Sequence, residues 1–184
     1  MKFIKEKIIY TPTSNQLLLG DLLKRANVQI GLWNPVGLFG DERTIAVNRC
    51  KETIQRLLDG ESYQVDARDV FWGRPKDTTR LPSIDDFADA AAKLSYRVCG
   101  LRHVLSAIGA HWECAKNKTI WNGEKRICCV PLPHPLPATY LVAVIVNDYE
   151  KNRSNPHRIT VVSQSEWNSL RIQECLRFLY ERLH

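Results

Sequence analysis

An apolar heptad seam between positions 84 and 112 restricts the fold of this chain more than any other feature of its sequence. Its nine members follow alternating steps of three and four residues: Ile84, Phe87, Ala91, Leu94, Val98, Leu101, Leu105, Ile108 and Trp112. Since this spacing places apolar side chains along one side of a helix, it predicts one long helix, or two helices broken near Gly100. The seam packs either against the chain's own core or against a second copy of the chain, which would make a homo-oligomer.

The hydrophobic period changes after Cys114, where short runs rich in β-branched residues replace the seam. These runs cover residues 118–121, 125–130, 139–147 and 158–163. Asn122-Gly123 separates the first two runs and is a strong hairpin signal. Ser163 and Glu166 then have the spacing of a capping box, which predicts an amphipathic helix from there to the C-terminus.

These elements predict an α+β fold in a single domain that spans residues 1–184. Helices dominate residues 14–115, while antiparallel strands and the C-terminal helix occupy residues 118–184. The expected architecture is an antiparallel sheet of four or more strands, packed by the long heptad-patterned helix and by the C-terminal amphipathic helix.

Basic residues outnumber acidic ones, with 26 Lys and Arg against 20 Asp and Glu and a formal net charge of +6. Polyanions are therefore the first class of partner to consider, and we expect DNA or RNA. The basic residues expected to bind it lie near a loop tip and near the predicted hairpin: Arg153, His157, Arg158, Lys125 and Arg126. They form one phosphate-binding stripe only if both segments lie on the same side of the sheet.

The cysteines and the N-terminus bear on the cellular setting. The six cysteines include no CxxC pair, so we expect buried, reduced thiols and no bound metal. The longest apolar run is too short to cross a bilayer, and the N-terminus lacks the apolar core of a secretory signal. We therefore expect a cytoplasmic protein without membrane contact. The absence of a P-loop and of a dinucleotide fingerprint predicts no cofactor.

Residues 34–41 connect a predicted strand to a predicted helix and are the first candidate loop. Asn34 precedes a proline, which favours an extended backbone and projects its side chain from the strand end. Gly37 and Gly40 permit a close approach of the backbone to a ligand, and the amides that follow can face an anion. Asp41 is either the N-cap of the helix over residues 42–58 or a carboxylate at the mouth of a cleft. The stretch is therefore either a capped turn or a ligand-binding loop.

Residues 131–137 are rich in proline and form the second candidate loop. Alternating prolines keep this stretch extended and stiff, and they hold His134 in a defined direction. A histidine held in this way is suited to general acid–base chemistry or to electrophilic catalysis. The alternative is an exposed loop that protects a sheet edge.

The Asn34-Pro and His134-Pro-Leu-Pro elements, together with Phe39, resemble the two site loops of the uracil-DNA glycosylase superfamily. The resemblance implies a hydrolase in which Asn34 or Asp41 orients water, Phe39 stacks on a flipped base, and His134 stabilises charge that develops on that base. The match covers under a tenth of the chain, and Leu136 stands where the family has serine.

The sequence thus leaves two functions open. The first is an intracellular basic protein that binds or processes nucleic acid at the loops 34–41 and 131–137. The second is a non-catalytic interaction or regulatory module that associates through the heptad helix over residues 84–112. The patterns do not separate an enzyme from a binding protein, because no firm catalytic motif is present.

Overall fold

The structure, a computed structural model, describes residues 2–6, 17–61, 69–115, 126–136, 139–146 and 156–184, with only the backbone at 111–115, 133–136 and 139. Five helices lie in these ranges: α1 (Leu19–Ala26), α2 (Gly40–Asp59), α3 (Ile84–Ala92), α4 (Leu101–Ala115) and α5 (Gln164–Leu170). Eight strands lie there too: β1 (Phe3–Glu6), β2 (Val28–Ile30), β3 (Val70–Pro75), β4 (Tyr96–Val98), β5 (Arg126–Leu136), β6 (Thr139–Val146), β7 (His157–Val162) and β8 (Leu176–Arg182).

All eight strands belong to one sheet, in the order β1-β3-β8-β5-β6-β7-β2, with β4 also paired to β8. Strands β5, β6 and β7 form an antiparallel meander, but the pairs β5/β8 and β2/β7 are parallel. The class is α+β, as predicted, whereas the prediction of an antiparallel sheet is wrong because the sheet is mixed. The parallel pairs arise because long segments that contain helices, and not hairpins, connect those strands along the chain.

Helices cover both faces of the sheet, and each face has its own apolar core. On one face, α1, α2 and α4 contribute Leu22, Ile54 and Leu105. On the other face, α3 and α5 contribute Phe87 and Trp167. The central strands are therefore buried on both sides, which explains their nearly continuous apolar sequences. Within the ranges given above, no helix is both long and apolar enough to span a membrane.

Two helices share the heptad seam, so the chain follows the predicted alternative of two helices broken near Gly100, and one long helix does not form. The seam begins on α3 and ends on α4, and residues 93–100 between them contain β4. Ser95 has a left-handed backbone (φ 58°), and Tyr96–Val98 then pairs with β8. This ladder replaces a helical connection because tyrosine and valine pack well in strands. Phe87 and Leu105 are buried in opposite cores, so both parts of the seam pack within the chain.

The predicted C-terminal helix ends at Leu170, and Leu176–Arg182 forms the strand β8 near the middle of the sheet. The capping box is confirmed, since the Ser163 amide donates to Glu166 Oε2 at 2.7 Å. The continuation as a helix is wrong because residues 176–181 are all buried. A strand buried on both faces shows no alternation, so apolar spacing alone does not distinguish it from a buried helix.

Strand β5 includes most of the proline-rich stretch 131–137, so the prediction of a loop there is wrong for residues 131–136. The strand shifts its register against β6 between Pro131 and Leu136. Prolines fit this position because an irregular ladder does not require every backbone N–H. The predicted Asn122-Gly123 hairpin lies outside the described residues.

Helix α2 begins at Gly40, and its N-cap residue is Phe39, which makes no side-chain cap. The N-cap interpretation of Asp41 is therefore wrong. The reason is that Gly40 adopts a positive φ of 52°, which glycine tolerates. The helix therefore begins one residue before Asp41. Asp41 and Glu42 instead place negative charge in the first turn, where the helix dipole favours it.

Neighbouring cysteines on β5 face opposite sides of the sheet, as expected for a strand. Cys128 packs in the core beneath α4, and Cys129 packs in the core beneath α3 and α5. Burial raises the pKa of both thiols. Since the thiolate is the reactive form, both side chains behave as inert apolar groups.

Candidate anion-binding site

Three arginines from neighbouring strands meet on one face of the sheet, near the starts of β5 and β8. The register of β3 on β8 pairs Gly73 with Phe178, so the next residue, Arg74, lies beside Arg177. Strand β5 is the parallel neighbour on the other side of β8, and it contributes Arg126. Together with Glu6 from β1, these arginines form what we call the arginine centre.

The three arginines are almost completely buried. Their exposed fractions are 7% for Arg74, 8% for Arg126 and 5% for Arg177. Removing an ion from water costs several kcal/mol, and only well-placed partners offset that cost. The partners of each guanidinium therefore decide what the centre can do.

Glu6 is shared by two of the arginines. Its Oε1 accepts hydrogen bonds from Nε and Nη2 of Arg177 at 3.0 and 2.6 Å, and from Nη2 of Arg126 at 3.2 Å. Burial by itself raises the pKa of the Glu6 carboxyl. The hydrogen bond and charge of Arg177, followed by those of Arg126, outweigh burial and hold this pKa below its ordinary value. Glu6 is therefore ionised at neutral pH.

Arg177 is further fixed by backbone carbonyls at the start of β8 and just before it. Its Nη1 donates to the carbonyl oxygens of Glu174 at 2.5 Å and of Leu176 at 2.8 Å. These bonds, together with those to Glu6, engage all three guanidinium nitrogens. These hydrogen bonds therefore fix the position of the Arg177 guanidinium.

Arg74 differs from its two neighbours, because it forms no ion pair with Glu6. Its buried Nε, like that of Arg126, has no hydrogen-bond partner in the described part of the chain. Burial, and then the charge of Arg177, lower the pKa of Arg74. The charge of Glu174 acts in the opposite direction, but that side chain is exposed and makes no ion pair with Arg74 among the described residues. A nearly buried cation beside a second cation is the arrangement that a bound anion stabilises.

The four side chains of the arginine centre suit a doubly charged oxyanion. Three arginines and one glutamate sum to a charge of +2. Guanidinium groups are planar and match the oxygen spacing of phosphate and carboxylate, to which they donate paired hydrogen bonds. A phosphate monoester has a charge of about −1.5 to −2 at pH 7. The centre and such a group are therefore complementary in charge and in hydrogen bonding.

The predicted loops 34–41 and 131–137 leave the same end of the sheet, but no hydrogen bond or ion pair joins their described residues. Strands β7 and β6 separate β2 from β5, which is about 14 Å at the usual strand spacing. The Asn34 side chain accepts a hydrogen bond from the Val36 amide at 3.3 Å, as in a local turn. Phe39 is 79% exposed and Asp41 is also exposed. The His134 side chain lies outside the described residues, so its convergence with Asn34 and Asp41 stays a prediction.

Of the five basic residues predicted to bind a ligand, Arg126 lies in the arginine centre. His157 is 1% exposed, and burial lowers its pKa to about 4, so it is uncharged at neutral pH and is not at an exposed loop tip. The reason is that β7 already begins at this residue. The Arg158 side chain packs over Gly31, where an added Cβ would come within 2.7 Å of it. Arg153 and Lys125 lie outside the described residues.

Sequence patterns did not identify the other members of the arginine centre. They place Arg74 in an exposed loop and Arg177 on the surface of a C-terminal helix, and both placements are wrong. One local signal was available, because Arg177 stands within an apolar run from Leu176 to Tyr180. An apolar run of this kind is typical of a strand that is buried on both faces of a sheet. A charged residue inside it indicates a buried charge with a specific partner.

Compared with known protein families, with curated proteins and with solved structures, the chain matches none. Within the described ranges, no group of three or more His, Cys, Asp or Glu side chains is arranged to hold a metal ion. The function is therefore argued from the charge and geometry of the arginine centre.

Proposed function

We propose that the protein binds a terminal phosphate monoester of a nucleotide or nucleic-acid strand, and that the arginine centre is the phosphate site. The observation that carries the proposal is Arg74. Its side chain is more than nine-tenths buried, it lies beside Arg177, and its Nε has no partner within the described ranges. A phosphate bound beside Arg74 supplies the missing negative charge.

Burial favours a terminal phosphate over one inside a strand. A backbone phosphodiester has a sugar on both sides, so it binds in an open groove, whereas these arginines are each less than a tenth exposed. A terminal monoester has one substituent and can enter a narrow site. It also carries nearly twice the charge of a diester, in keeping with the +2 sum of the centre.

The rest of the ligand has further positive charge to contact. The formal net charge of the chain is +6, and the exposed Lys2 and Lys76 lie at the same end of the β1/β3 pair as Arg74. The Lys76 amide donates to the Lys2 carbonyl at 3.0 Å, which holds the two residues side by side. These lysines contribute the salt-dependent attraction of a polyanion, while the arginine centre recognises its end.

Terminal recognition is tested with two oligonucleotides that differ in one group. A short single strand, labelled at its 3′ end, is prepared with a 5′-phosphate and with a 5′-hydroxyl, and binding is followed by fluorescence anisotropy at physiological salt. We expect the phosphorylated strand to bind roughly tenfold more tightly or better, because one charge-assisted hydrogen bond contributes about 1.5–3 kcal/mol. Competition by a free nucleoside monophosphate and by inorganic phosphate separates a mononucleotide ligand from a strand end.

Equal affinities for the two strands contradict terminal recognition, whatever their absolute values. Competition by the mononucleotide at the same concentration as the phosphorylated strand identifies a nucleotide-binding protein. If the mononucleotide competes much more weakly than the phosphorylated strand, the ligand is a strand end, because the lysines then contribute to binding.

Association through the heptad seam, the other function that the sequence leaves open, has no comparable observation in its favour. Phe87 and Leu105 on the seam are completely buried in the chain's own cores. A second chain would have to displace those contacts. We therefore favour phosphate recognition.

A further inference from the structure

A cavity opens where the sheet divides, at the opposite end of β8 from the arginine centre. Strand β8 pairs with β5 through Leu176–Phe178 and then, along the same edge, with β4 through Tyr180–Arg182. Beyond this division, a cleft of about 530 Å³ lies between β4 and residues 131–132 of β5. Places where neighbouring strands separate are common ligand sites in proteins with helices on both faces of a sheet.

The lining of this cleft is mainly apolar, and several of its residues are small. The end of α2 supplies Leu57 and Gly60 from one face of the sheet, and α3 supplies Ala88 and Ala92 from the other face. Small residues on both walls leave room for a ligand of several carbon atoms. The hydrophobic effect supplies the attraction for its hydrocarbon part.

The polar groups of the cleft carry an excess of negative charge. Glu61 lies on one wall, and Asp89 lies on the other. Glu61 accepts backbone hydrogen bonds from Arg102 at 3.0 and 3.2 Å, at the start of α4, and Asp89 has no ion pair among the described residues. The cationic lining residue, Arg97, is ion-paired with the nearly buried Glu181 at 2.5 Å.

Gly100, which precedes α4, leaves room for the Glu61 carboxylate at this position. A Cβ added to Gly100 would lie 2.4 Å from Glu61 Oε1, so only glycine permits the observed contact. Burial raises the pKa of the Glu61 carboxyl, and the backbone hydrogen bonds of Arg102 and Leu101 counteract this rise only in part. A carboxylate so placed gains from a cation that pairs with its remaining lone pairs.

We propose that this cleft binds an organic ammonium ion with an apolar body, oriented by Glu61 and Asp89. The proposal is independent of phosphate recognition, because the two sites share no residue. Its ligand differs from a phosphate in the sign of its charge and in its apolar character.

Three probes of equal length test the proposal in the full chain: hexylammonium, 1-hexanol and hexanoate. Binding is followed by NMR through the backbone amides of Gly60 and Gly100. We expect hexylammonium to bind at least tenfold more tightly than 1-hexanol, and hexanoate to bind more weakly than either. Ala92→Trp, which fills the cleft from an exposed position of α3, should abolish the response to all three probes.

Two carboxylate variants locate the charge that selects the ammonium group. Asp89→Asn should reduce the preference for hexylammonium over 1-hexanol at least threefold, as should Glu61→Gln. Glu61→Gln can also destabilise the start of α4, where Glu61 accepts the Arg102 amide, and Asp89→Asn keeps the test decisive in that case. The matched control is Asp59→Asn, at a nearby exposed carboxylate. Equal binding of hexylammonium and 1-hexanol, or no response of Gly60 and Gly100 to any probe, overturns the proposal.

Discussion

Replacing Arg74 with methionine is expected to stabilise the free protein and to remove phosphate recognition at the same time. Methionine fills a similar volume without a charge, so it eliminates the cost of burying a cation beside Arg177. The free energy of unfolding without ligand should rise by about 1–2 kcal/mol, as when buried ions are replaced by apolar side chains. Affinity for the 5′-phosphorylated strand should fall by roughly 30-fold or more, since a charge-assisted pair is lost. Urea denaturation and anisotropy measure the two effects separately.

The matched control for this variant is Arg80→Met, which makes the same chemical change at a side chain that is 86% exposed. It should alter stability and affinity only slightly, because exposed ion pairs contribute little. A loss of stability in Arg74→Met would show that Arg74 is a structural cation compensated within the chain. Unchanged affinity would remove Arg74 from the phosphate site.

Glu6→Gln is expected to have the largest effect on stability. It replaces the charged oxygen that Arg126 and Arg177 both bind with a neutral amide oxygen, and the loss of one charge from a buried ion pair costs about 3 kcal/mol. The pKa of Glu6 is below its ordinary value of 4.5, so its stabilising contribution is complete above that pH. The contribution disappears as the pH falls through the lowered pKa. The difference between wild type and variant in urea denaturation should therefore be constant near neutral pH and shrink in strong acid.

The same variant tests the charge of the arginine centre. Without Glu6, the three arginines sum to +3, and a phosphate ion should stabilise the variant more than it stabilises wild type. Thermal unfolding over a series of inorganic phosphate concentrations, at constant ionic strength, measures this difference. Glu52→Gln on the exposed side of α2 is the control for the charge change. If phosphate raises the Tm of Glu6→Gln no more than that of wild type, the centre does not bind phosphate.

The sequence predicts local elements of this fold better than their arrangement. Ser83 and Asp86, like Ser163 and Glu166, have the spacing of a capping box, and both boxes form. These signals are local, since the four residues of each box contain both partners of the hydrogen bonds. The break of the seam at residues 93–100 depends instead on β8, more than 75 positions later in the chain. A heptad pattern contains no information about such a distant partner.

The sequence pattern does not predict the arginine centre, for the same reason. Its members Glu6, Arg74, Arg126 and Arg177 come from four strands that only the sheet order brings together. Each arginine alone resembles an ordinary surface residue, because arginine is seldom buried. The positive excess in the composition does indicate an anionic partner. It does not show that part of this excess lies inside the protein.

The cleft at the division of the sheet was partly visible in the sequence. The proline-rich stretch at 131–137 marks the place where β5 leaves its regular ladder, and Pro131 lines the cleft. The opposing residue Glu61 follows α2 and has no distinctive sequence context. Only the structure shows that Glu61 lies beside the start of α4 and lines the cleft.

The most direct measurement of phosphate recognition is phosphorus NMR of a 5′-phosphorylated oligonucleotide saturated with the protein, followed between about pH 8 and pH 5. A free phosphate monoester takes up its second proton near pH 6. Two or more arginines in contact with the group favour the dianion, so its pKa should fall by about one unit or more. Arg74→Met should return the midpoint toward its free value. A midpoint that stays near pH 6 in the complex with wild-type protein would contradict binding of the phosphate at the arginine centre.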